Sequence, residues 1–129
     1  MDASALLEVL LVTPRAGRLT ERLLAPDESL HAPHLIDLEV TQVLRRYCAM
    51  GGMSQRRSRD ALDDLAAFGL RRHPHLHYLE RIWELRHNLT AYDAAYVALA
   101  EALNAPLVTC DRALAQSRGH RAAIELPDA

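Results

Sequence analysis

A helix that is apolar on nearly every face is the feature that most constrains the fold of this chain. Residues 91–103 read AYDAAYVALAEAL, a run dominated by alanine and leucine. A helix that is apolar all round is buried, so other elements must cover it on several sides. The segment 107–110, LVTC, follows at once and has the character of a short buried strand. We therefore predict a helix and a strand packed together at the centre of the domain.

Shorter segments repeat this alternation along the chain. Pro14 separates two predicted helices because proline lacks a backbone N–H, and Gly51-Gly52 ends a third. The predicted helices span residues 4–11, 15–24, 35–49, 54–68 (with Ser54 as its cap), 78–87 and 91–103. The predicted strands span residues 29–32, 70–76, 107–110 and 122–126. Strands that alternate with helices favour an α/β fold with a parallel sheet covered on both faces.

Several side chains are expected to face either the core or the surface. In the helix 35–49 we predict that the inward-facing residues are Leu35, Leu38, Val43, Leu44 and Tyr47. The aromatic side chains of Phe68 and Trp83 are expected in the core. The run His73-Pro74-His75-Leu76-His77 is interpreted as a surface strand rather than a metal site, because no other cluster with ligand spacing accompanies it.

Composition limits the classes of protein to which this chain can belong. Its 129 residues fit a single domain, residues 1–129, and the net charge of −2 does not suggest a general nucleic-acid binder. All 15 basic residues are arginine, so the lysine that a P-loop or a phosphoacceptor receiver domain requires is missing. No apolar run reaches membrane length and no secretory signal is present. We therefore expect a cytoplasmic protein in which Cys48 and Cys110 are reduced.

Four acidic side chains lie next to apolar segments, where burying a charged group is costly. They are Asp2, Glu39, Asp93 and Asp111. Buried carboxylates are costly unless they are paired or bind a cation, and four that converge would repel one another strongly. Oxygen ligands favour Mg²⁺ or Mn²⁺, and such ions can promote the hydrolysis of phosphate esters. Sites of this kind form at the carboxyl ends of parallel strands.

Taken singly, each acid also has an ordinary structural interpretation. Thr90 and Asp93 match a helix-capping pattern, and Asp111 could cap a helix after the strand. Glu39 could be a solvated helix residue, and Asp2 could be a disordered terminal residue. Only the set of four favours a functional site, because a single short motif is a weak signal.

The segments around these acids resemble the four signature blocks of the PIN domain and, more narrowly, of the VapC toxins of bacterial toxin–antitoxin pairs. The blocks are residues 2–6 (DASAL), 32–40 (APHLIDLEV), 89–96 (LTAYDAAY) and 107–111 (LVTCD), and the resemblance spans essentially the whole chain. It implies a three-layer α/β/α sandwich with a central, mostly parallel sheet. It also implies a Mg²⁺- or Mn²⁺-dependent endoribonuclease with Asp2, Glu39, Asp93 and Asp111 as its catalytic, metal-binding cluster. Ser4 and Thr109 match positions whose hydrogen bonds support that cluster.

The start of the chain departs from the pattern of this family. Only Met1 precedes Asp2, whereas the proteins that it resembles have an apolar first strand there. We therefore expect that the first strand of the sheet is truncated and that the native start lies upstream.

The resemblance also implies partners. An antitoxin would fill an apolar groove beside the helices 4–11 and 15–24, and two copies of the chain would form a homodimer. Arginines that could hold RNA phosphates are Arg45, Arg46, Arg56, Arg57, Arg59, Arg71 and Arg72, although a solvated surface with local ion pairs is the favoured explanation for any one of them.

Two other functions fit the same residues. The first is a degenerate PIN domain that binds antitoxin or RNA without cleavage. The second is a Mg²⁺-dependent hydrolase of small phosphate esters or DNA, which the absence of a glycine-rich loop and of lysine disfavours.

Overall fold

Helices separated by short parallel strands form the fold in a computed structural model, which describes residues 1–14 and 16–127. The helices are α1 (Ala3–Leu10), α2 (Ala16–Leu23), α3 (Leu35–Ala49), α4 (Gln55–Ala67), α5 (Leu79–Glu84), α6 (Ala91–Leu103) and α7 (Arg112–Ala115). The strands are β1 (Leu30–Pro33), β2 (Leu70–His73), β3 (Leu107–Val108) and β4 (Ile124–Glu125), and a 3₁₀ turn at Leu76–Tyr78 precedes α5. The predicted elements are all present with shifted ends. The part of the second helix predicted at residue 15 lies outside the described residues.

The strands form two parallel pairs. β1 pairs with β2 in a register that runs from Leu30 opposite Leu70 to Pro33 opposite His73. β3 pairs with β4, with Leu107 opposite Ile124. The first two residues lie between the pairs, because the Met1 amine donates to the His31 carbonyl (3.0 Å) and the Asp2 N–H donates to the Val108 carbonyl (3.2 Å). The predicted parallel α/β class is confirmed, with the central sheet divided at this junction.

Two groups of helices contact these strands. α1 packs against α2, α3 and α4, and α3 also contacts β1. α5 packs against α6, which in turn contacts β1 and β3. Strands that are contacted by two separate groups of helices are what a three-layer α/β/α arrangement requires.

The helix α6 is the centre of the core, as its composition predicted. Every residue from Ala94 to Ala100 is buried. Thr90 caps the start of this helix, because its hydroxyl accepts a hydrogen bond from the Asp93 N–H (3.1 Å). The helix ends at Asn104, which adopts the left-handed conformation (φ 49°) that asparagine tolerates better than most residues.

The inward face of α3 differs from the prediction. Ile36, Val40 and Leu44 form the buried stripe, at the four-residue spacing that places side chains on one side of a helix. Leu38 is 74% exposed and Tyr47 is 42% exposed, so placing these two in the core was wrong. α3 carries apolar side chains on two sides, and only one of these sides covers the strands.

Two predictions about the segment after β2 were also wrong. Trp83 is 67% exposed, with the Arg86 guanidinium 4.5 Å from its ring centroid, because the short helix α5 turns Leu85 inward instead. The histidine run forms a strand only as far as His73. Pro74 cannot donate a hydrogen bond to a neighbouring strand, so a turn follows. Phe68, in contrast, packs half-buried against the core as expected. Within residues 1–14 and 16–127, no helix has the length and apolarity to cross a membrane.

Candidate metal centre

Asp2 is held at the start of α1 by three hydrogen bonds. Its Oδ1 atom accepts from the Ser4 hydroxyl (2.7 Å) and from the Ala5 N–H (3.2 Å), and its Oδ2 atom accepts from the Thr109 hydroxyl (2.6 Å). Asp2 is only 6% exposed. The interpretation of this residue as a disordered terminal side chain was therefore wrong.

Ser4 and Thr109 connect the start of α1 to the end of β3. The Ser4 hydroxyl accepts a hydrogen bond from the Cys110 N–H (2.9 Å), and the Thr109 hydroxyl accepts one from the Asp111 N–H (3.0 Å). Both hydroxyls contact the Asp2 carboxylate, so their oxygens lie only 3.1 Å apart. Each hydroxyl has a single hydrogen and donates it to Asp2, so neither donates to the other. These two residues thereby fix the position of Asp2 relative to Asp111.

Glu39 reaches the same region from α3. The Tyr96 hydroxyl donates a hydrogen bond to its Oε1 atom (2.5 Å), so Glu39 is not the freely solvated helix residue that was the alternative. Burial raises the pKa of Glu39, the Tyr96 hydrogen bond lowers it, and the negative charges of Asp93 and Asp2 raise it again.

Asp93 and Asp111 combine a structural role with a place in the cluster. Asp93 lies in the first turn of α6, and its backbone N–H donates a hydrogen bond to the Thr90 hydroxyl. Burial raises the pKa of its carboxyl group, and so do the charges of Asp111 and Asp2. Asp111 caps α7, because its Oδ1 atom accepts hydrogen bonds from the N–H groups of Ala113 (2.9 Å) and Leu114 (3.2 Å). The capping interpretations of Thr90 and Asp111 were correct. A cap at these positions does not prevent the carboxylates of Asp93 and Asp111 from also binding a ligand.

The negative charges of Asp2 and Asp93 act on the carboxyl group of Glu39, and those of Asp2 and Asp111 act on the carboxyl group of Asp93, so the four acids share one negatively charged region. In their present positions, no three acidic, histidine or cysteine side chains among the described residues are close enough to hold a metal ion together. The donor chemistry nevertheless fits a hard divalent cation. All four groups supply carboxylate oxygens, and a cation would relieve the repulsion that raises the pKa values of Glu39 and Asp93.

Several of the arginines predicted to bind phosphate already have partners in the protein. The Arg72 Nε atom lies 2.7 and 3.0 Å from the two carboxylate oxygens of Asp37. The Arg57 guanidinium donates to the Leu11 carbonyl (2.7 Å), and Arg59 pairs with Asp63 one turn further along α4. These three contacts support the alternative of local pairing over phosphate binding.

An open groove of about 670 Å³ extends from the acidic cluster between α1 and α3. It begins at Ser4 and Glu39 and is lined further out by apolar and polar side chains, among them Leu7, Leu35, Leu38, Val43, Arg46, Tyr47 and Tyr92. The predicted position of this groove was beside α1 and α2. That position is closed, because α2 packs on α1 and buries Leu19 and Leu23.

Tyr96 contacts the site although no role in it was predicted for this residue. It follows Asp93 by three positions on α6, so both side chains lie on one side of the helix. The available signal was a phenol within an otherwise apolar buried helix, since a buried tyrosine hydroxyl usually has a hydrogen-bond partner.

Comparison with known proteins agrees with the four sequence blocks. The family model of the PIN domain matches residues 1–119. Ribonuclease VapC12 of Mycobacterium tuberculosis is 40% identical over 126 residues, which cover 98% of this chain and 96% of that protein. VapC ribonuclease Mb0985 of Mycobacterium bovis is 44% identical over 117 residues, covering 91% and 88%. Ribonuclease VapC3 of Pyrobaculum aerophilum is 33% identical over 120 residues, covering 90% and 91%. Because the PIN-domain model matches most of its length and its relatives are matched along nearly their full length, this chain belongs to the PIN-domain family, as a relative of the VapC ribonucleases.

Proposed function

We propose that this protein is a VapC-type endoribonuclease toxin that cleaves RNA phosphodiester bonds with Mg²⁺ or Mn²⁺. The observation that carries the proposal is the hydrogen-bonded frame of Ser4 and Thr109, which holds the Asp2 carboxylate against the segment that bears Asp111. The full-length relatives named as ribonucleases support RNA as the substrate class.

The four carboxylates have different degrees of freedom in this proposal. Asp2 is the fixed member, because Ser4 and Thr109 hold both of its oxygens. Asp111 keeps its Oδ2 atom for a ligand while Oδ1 caps α7. Glu39 and Asp93 are half-buried, and the negative charge of Asp93 acts on Glu39. These two carboxylates would complete the ligand set. When bound, the cation supplies positive charge that activates water and stabilises negative charge on the scissile phosphate.

Cleavage of a mixed cellular RNA pool tests this function. The full chain is incubated with Mn²⁺, with Mg²⁺ or with chelator, and compared with its Asp93→Asn variant. We expect metal-dependent cleavage that falls at least 100-fold in the variant, because the substitution removes a charge from the cation site. Asp60→Asn is the matched control, since Asp60 is exposed on α4 and the same change there should leave cleavage unaltered.

The outcome also decides between this function and the two alternatives. Binding of RNA without cleavage by the wild-type chain would favour a degenerate PIN domain, although all four acids are present here. Equal turnover of RNA, DNA and phosphate monoesters in parallel assays would favour a general phosphoryl hydrolase. Cleavage that persists in chelator would contradict the metal requirement.

We further propose that the groove between α1 and α3 receives a segment of a VapB-type antitoxin. Its apolar lining suits the apolar face of a helix, and its inner end at Glu39 suits a basic side chain. Leu38→Asp should abolish co-purification with a VapB-type antitoxin that is expressed together with this chain, whereas Leu24→Asp, at an exposed residue just after α2, should not.

A further inference from the structure

Tyr96 has an unusual position for a polar residue. It is 2% exposed in the middle of the buried run of α6, so its hydroxyl needs a hydrogen-bond partner within the protein. That hydroxyl donates a hydrogen bond to Glu39 Oε1 across the space between α6 and α3 (2.5 Å). The contact joins two residues that are 57 positions apart in the chain, so local structure does not bring it about.

We infer that Tyr96 is a positioning residue that sets the orientation of the Glu39 carboxylate for cation binding, an inference that rests on the proposed function. The phenol takes up one acceptor position of Oε1, so the carboxylate keeps its second oxygen and the other lone pair of Oε1 for a ligand. The glutamate side chain has three rotatable bonds, and a buried partner restricts them to one orientation.

The placement of Tyr96 on α6 gives this contact its precision. Asp93 and Tyr96 are three residues apart, so one side of α6 carries one acid of the cluster and orients a second. The helix itself cannot shift easily, since all residues from Ala94 to Ala100 are packed in the core. A rotation of Glu39 away from Asp93 would therefore require the phenol to lose a short hydrogen bond inside the protein.

A purely structural role for the hydroxyl would have a different signature. Removing the oxygen would then lower the free energy of unfolding but leave cation binding unchanged. In a positioning role, the same change weakens cation binding, and it does so only while Glu39 is present to be oriented. Hydrogen bonds to the ligands of a metal typically affect metal affinity or activity by about 10- to 100-fold.

The test measures Mn²⁺ binding to the full chain by electron paramagnetic resonance, without RNA. Tyr96→Phe should raise the dissociation constant at least 10-fold. Tyr78→Phe is the matched control, because Tyr78 lies in the 3₁₀ turn before α5 and outside the cluster, and it should bind as the wild type does. Glu39→Gln should also weaken binding, and adding Tyr96→Phe to it should have little further effect, as expected of coupled residues.

Three outcomes would overturn the inference. The first is unchanged Mn²⁺ binding by a folded Tyr96→Phe variant, and the second is a pair of effects that multiply in the double variant. The third is a wild-type chain that binds no Mn²⁺, in which case the RNA assay still decides the proposed function independently. If Tyr96→Phe fails to fold, the inference is tested instead by ¹⁹F spectra of the fluorotyrosine-labelled wild type and of Glu39→Gln. The Tyr96 signal should then shift on Mg²⁺ addition in the wild type and not in Glu39→Gln.

Discussion

Two hydroxyl groups organise the acidic cluster at the scale of single residues. Ser4 and Thr109 each donate to Asp2 and each accept from the backbone that leads from β3 into α7. Without these two hydroxyls, only the capping hydrogen bond from the Ala5 N–H would hold the Asp2 side chain. The polar positions matter because they convert a flexible acid into a fixed one.

Thr109→Val should therefore destabilise the protein although the two side chains have nearly the same shape. Thr109 is fully buried, and its loss leaves Asp2 Oδ2 and the Asp111 N–H without their partner. Leaving buried polar groups unsatisfied costs about 1–3 kcal/mol in the free energy of unfolding, which urea denaturation measures.

Thr41→Val provides the comparison for this prediction. The Thr41 hydroxyl is exposed and donates to the Asp37 carbonyl within its own helix, so its loss should stay within about 0.5 kcal/mol. Equal changes in the free energy of unfolding for the two substitutions would show that the hydrogen bond from Thr109 to Asp2 does not stabilise the protein more than the exposed bond of Thr41 does.

The sequence predicted these residue contacts only where a motif carried them. Asp2, Ser4 and Thr109 stand in blocks that pointed to one site, and the structure brings them together. The Tyr96–Glu39 contact was not predictable, because it depends on how α3 and α6 face each other across the sheet. The spacing of residues along either helix does not contain that information.

At the scale of elements, one ion pair ties α5 to α6. Arg81 Nε lies 2.7 Å from a carboxylate oxygen of Glu101, whose side chain is only 3% exposed. The other oxygen of Glu101 accepts a hydrogen bond from the Arg121 N–H (2.7 Å), which attaches the segment before β4 to the same point. The Arg81 hydrogen bond is the main cause that lowers the pKa of Glu101 to about 2.

This ion pair should make stability depend on pH in the acidic range. In the unfolded chain, Glu101 takes up a proton as the pH falls below its ordinary pKa of 4.5, whereas in the folded chain it stays charged until about pH 2. The stabilisation is thus complete above about pH 4.5 and is lost progressively as the pH falls towards 2. The stability difference between the wild type and Glu101→Gln, measured by urea unfolding, should shrink between pH 6 and pH 3.

An exposed glutamate on the neighbouring helix controls for the general effect of acid. Glu80→Gln on α5 should show a small stability difference that changes little over the same range. A Glu101→Gln difference that stays constant down to pH 3 would refute the assignment of this pH dependence to the Arg81 pair.

The sequence predicted helices better than it predicted their orientation. α6 could be placed because every face is apolar, so no choice of side was needed. α3 offered two apolar sides, and periodicity could not decide which of them covers the strands. The side that was wrongly assigned to the core, which includes Leu38 and Tyr47, lines the groove instead.

At the scale of the whole molecule, an exposed apolar stripe is the candidate for contact with a second copy. Leu76, Leu79 and Trp83 lie at helix-like spacing along the 3₁₀ turn and α5, and all three are exposed. Apolar side chains grouped on a surface in this way often mark a protein interface. We propose that the homodimer expected from the sequence uses this stripe.

Trp83→Asp should convert that dimer into a monomer, because it places a charge where apolar contact is expected. Light scattering after size-exclusion chromatography measures the change in mass. Leu24→Asp is the control, since Leu24 is similarly exposed at the end of α2. A wild-type chain that is already monomeric would contradict the homodimer, and a dimer that survives Trp83→Asp would place the interface elsewhere.

The division of the sheet into two strand pairs could not be predicted from the sequence. Each strand was found from its own residues, but pairing depends on contacts between distant segments. Leu107 and Val108 find partners in Ile124 and Glu125, and not in β1. The residues that connect the two pairs are the first two of the chain, where no periodic pattern exists to be interpreted.

The junction between the two strand pairs also has a consequence for chemical labelling. The sequence contains no lysine, so a protein expressed from Met1 has a single primary amine, the Met1 amine between β1 and β3. Burial lowers the pKa of that amine to about 6, which leaves it mostly uncharged and reactive at neutral pH whenever reagent can reach it. Acylation by an amine-specific reagent would therefore report, at one atom, how often the two halves of the sheet separate.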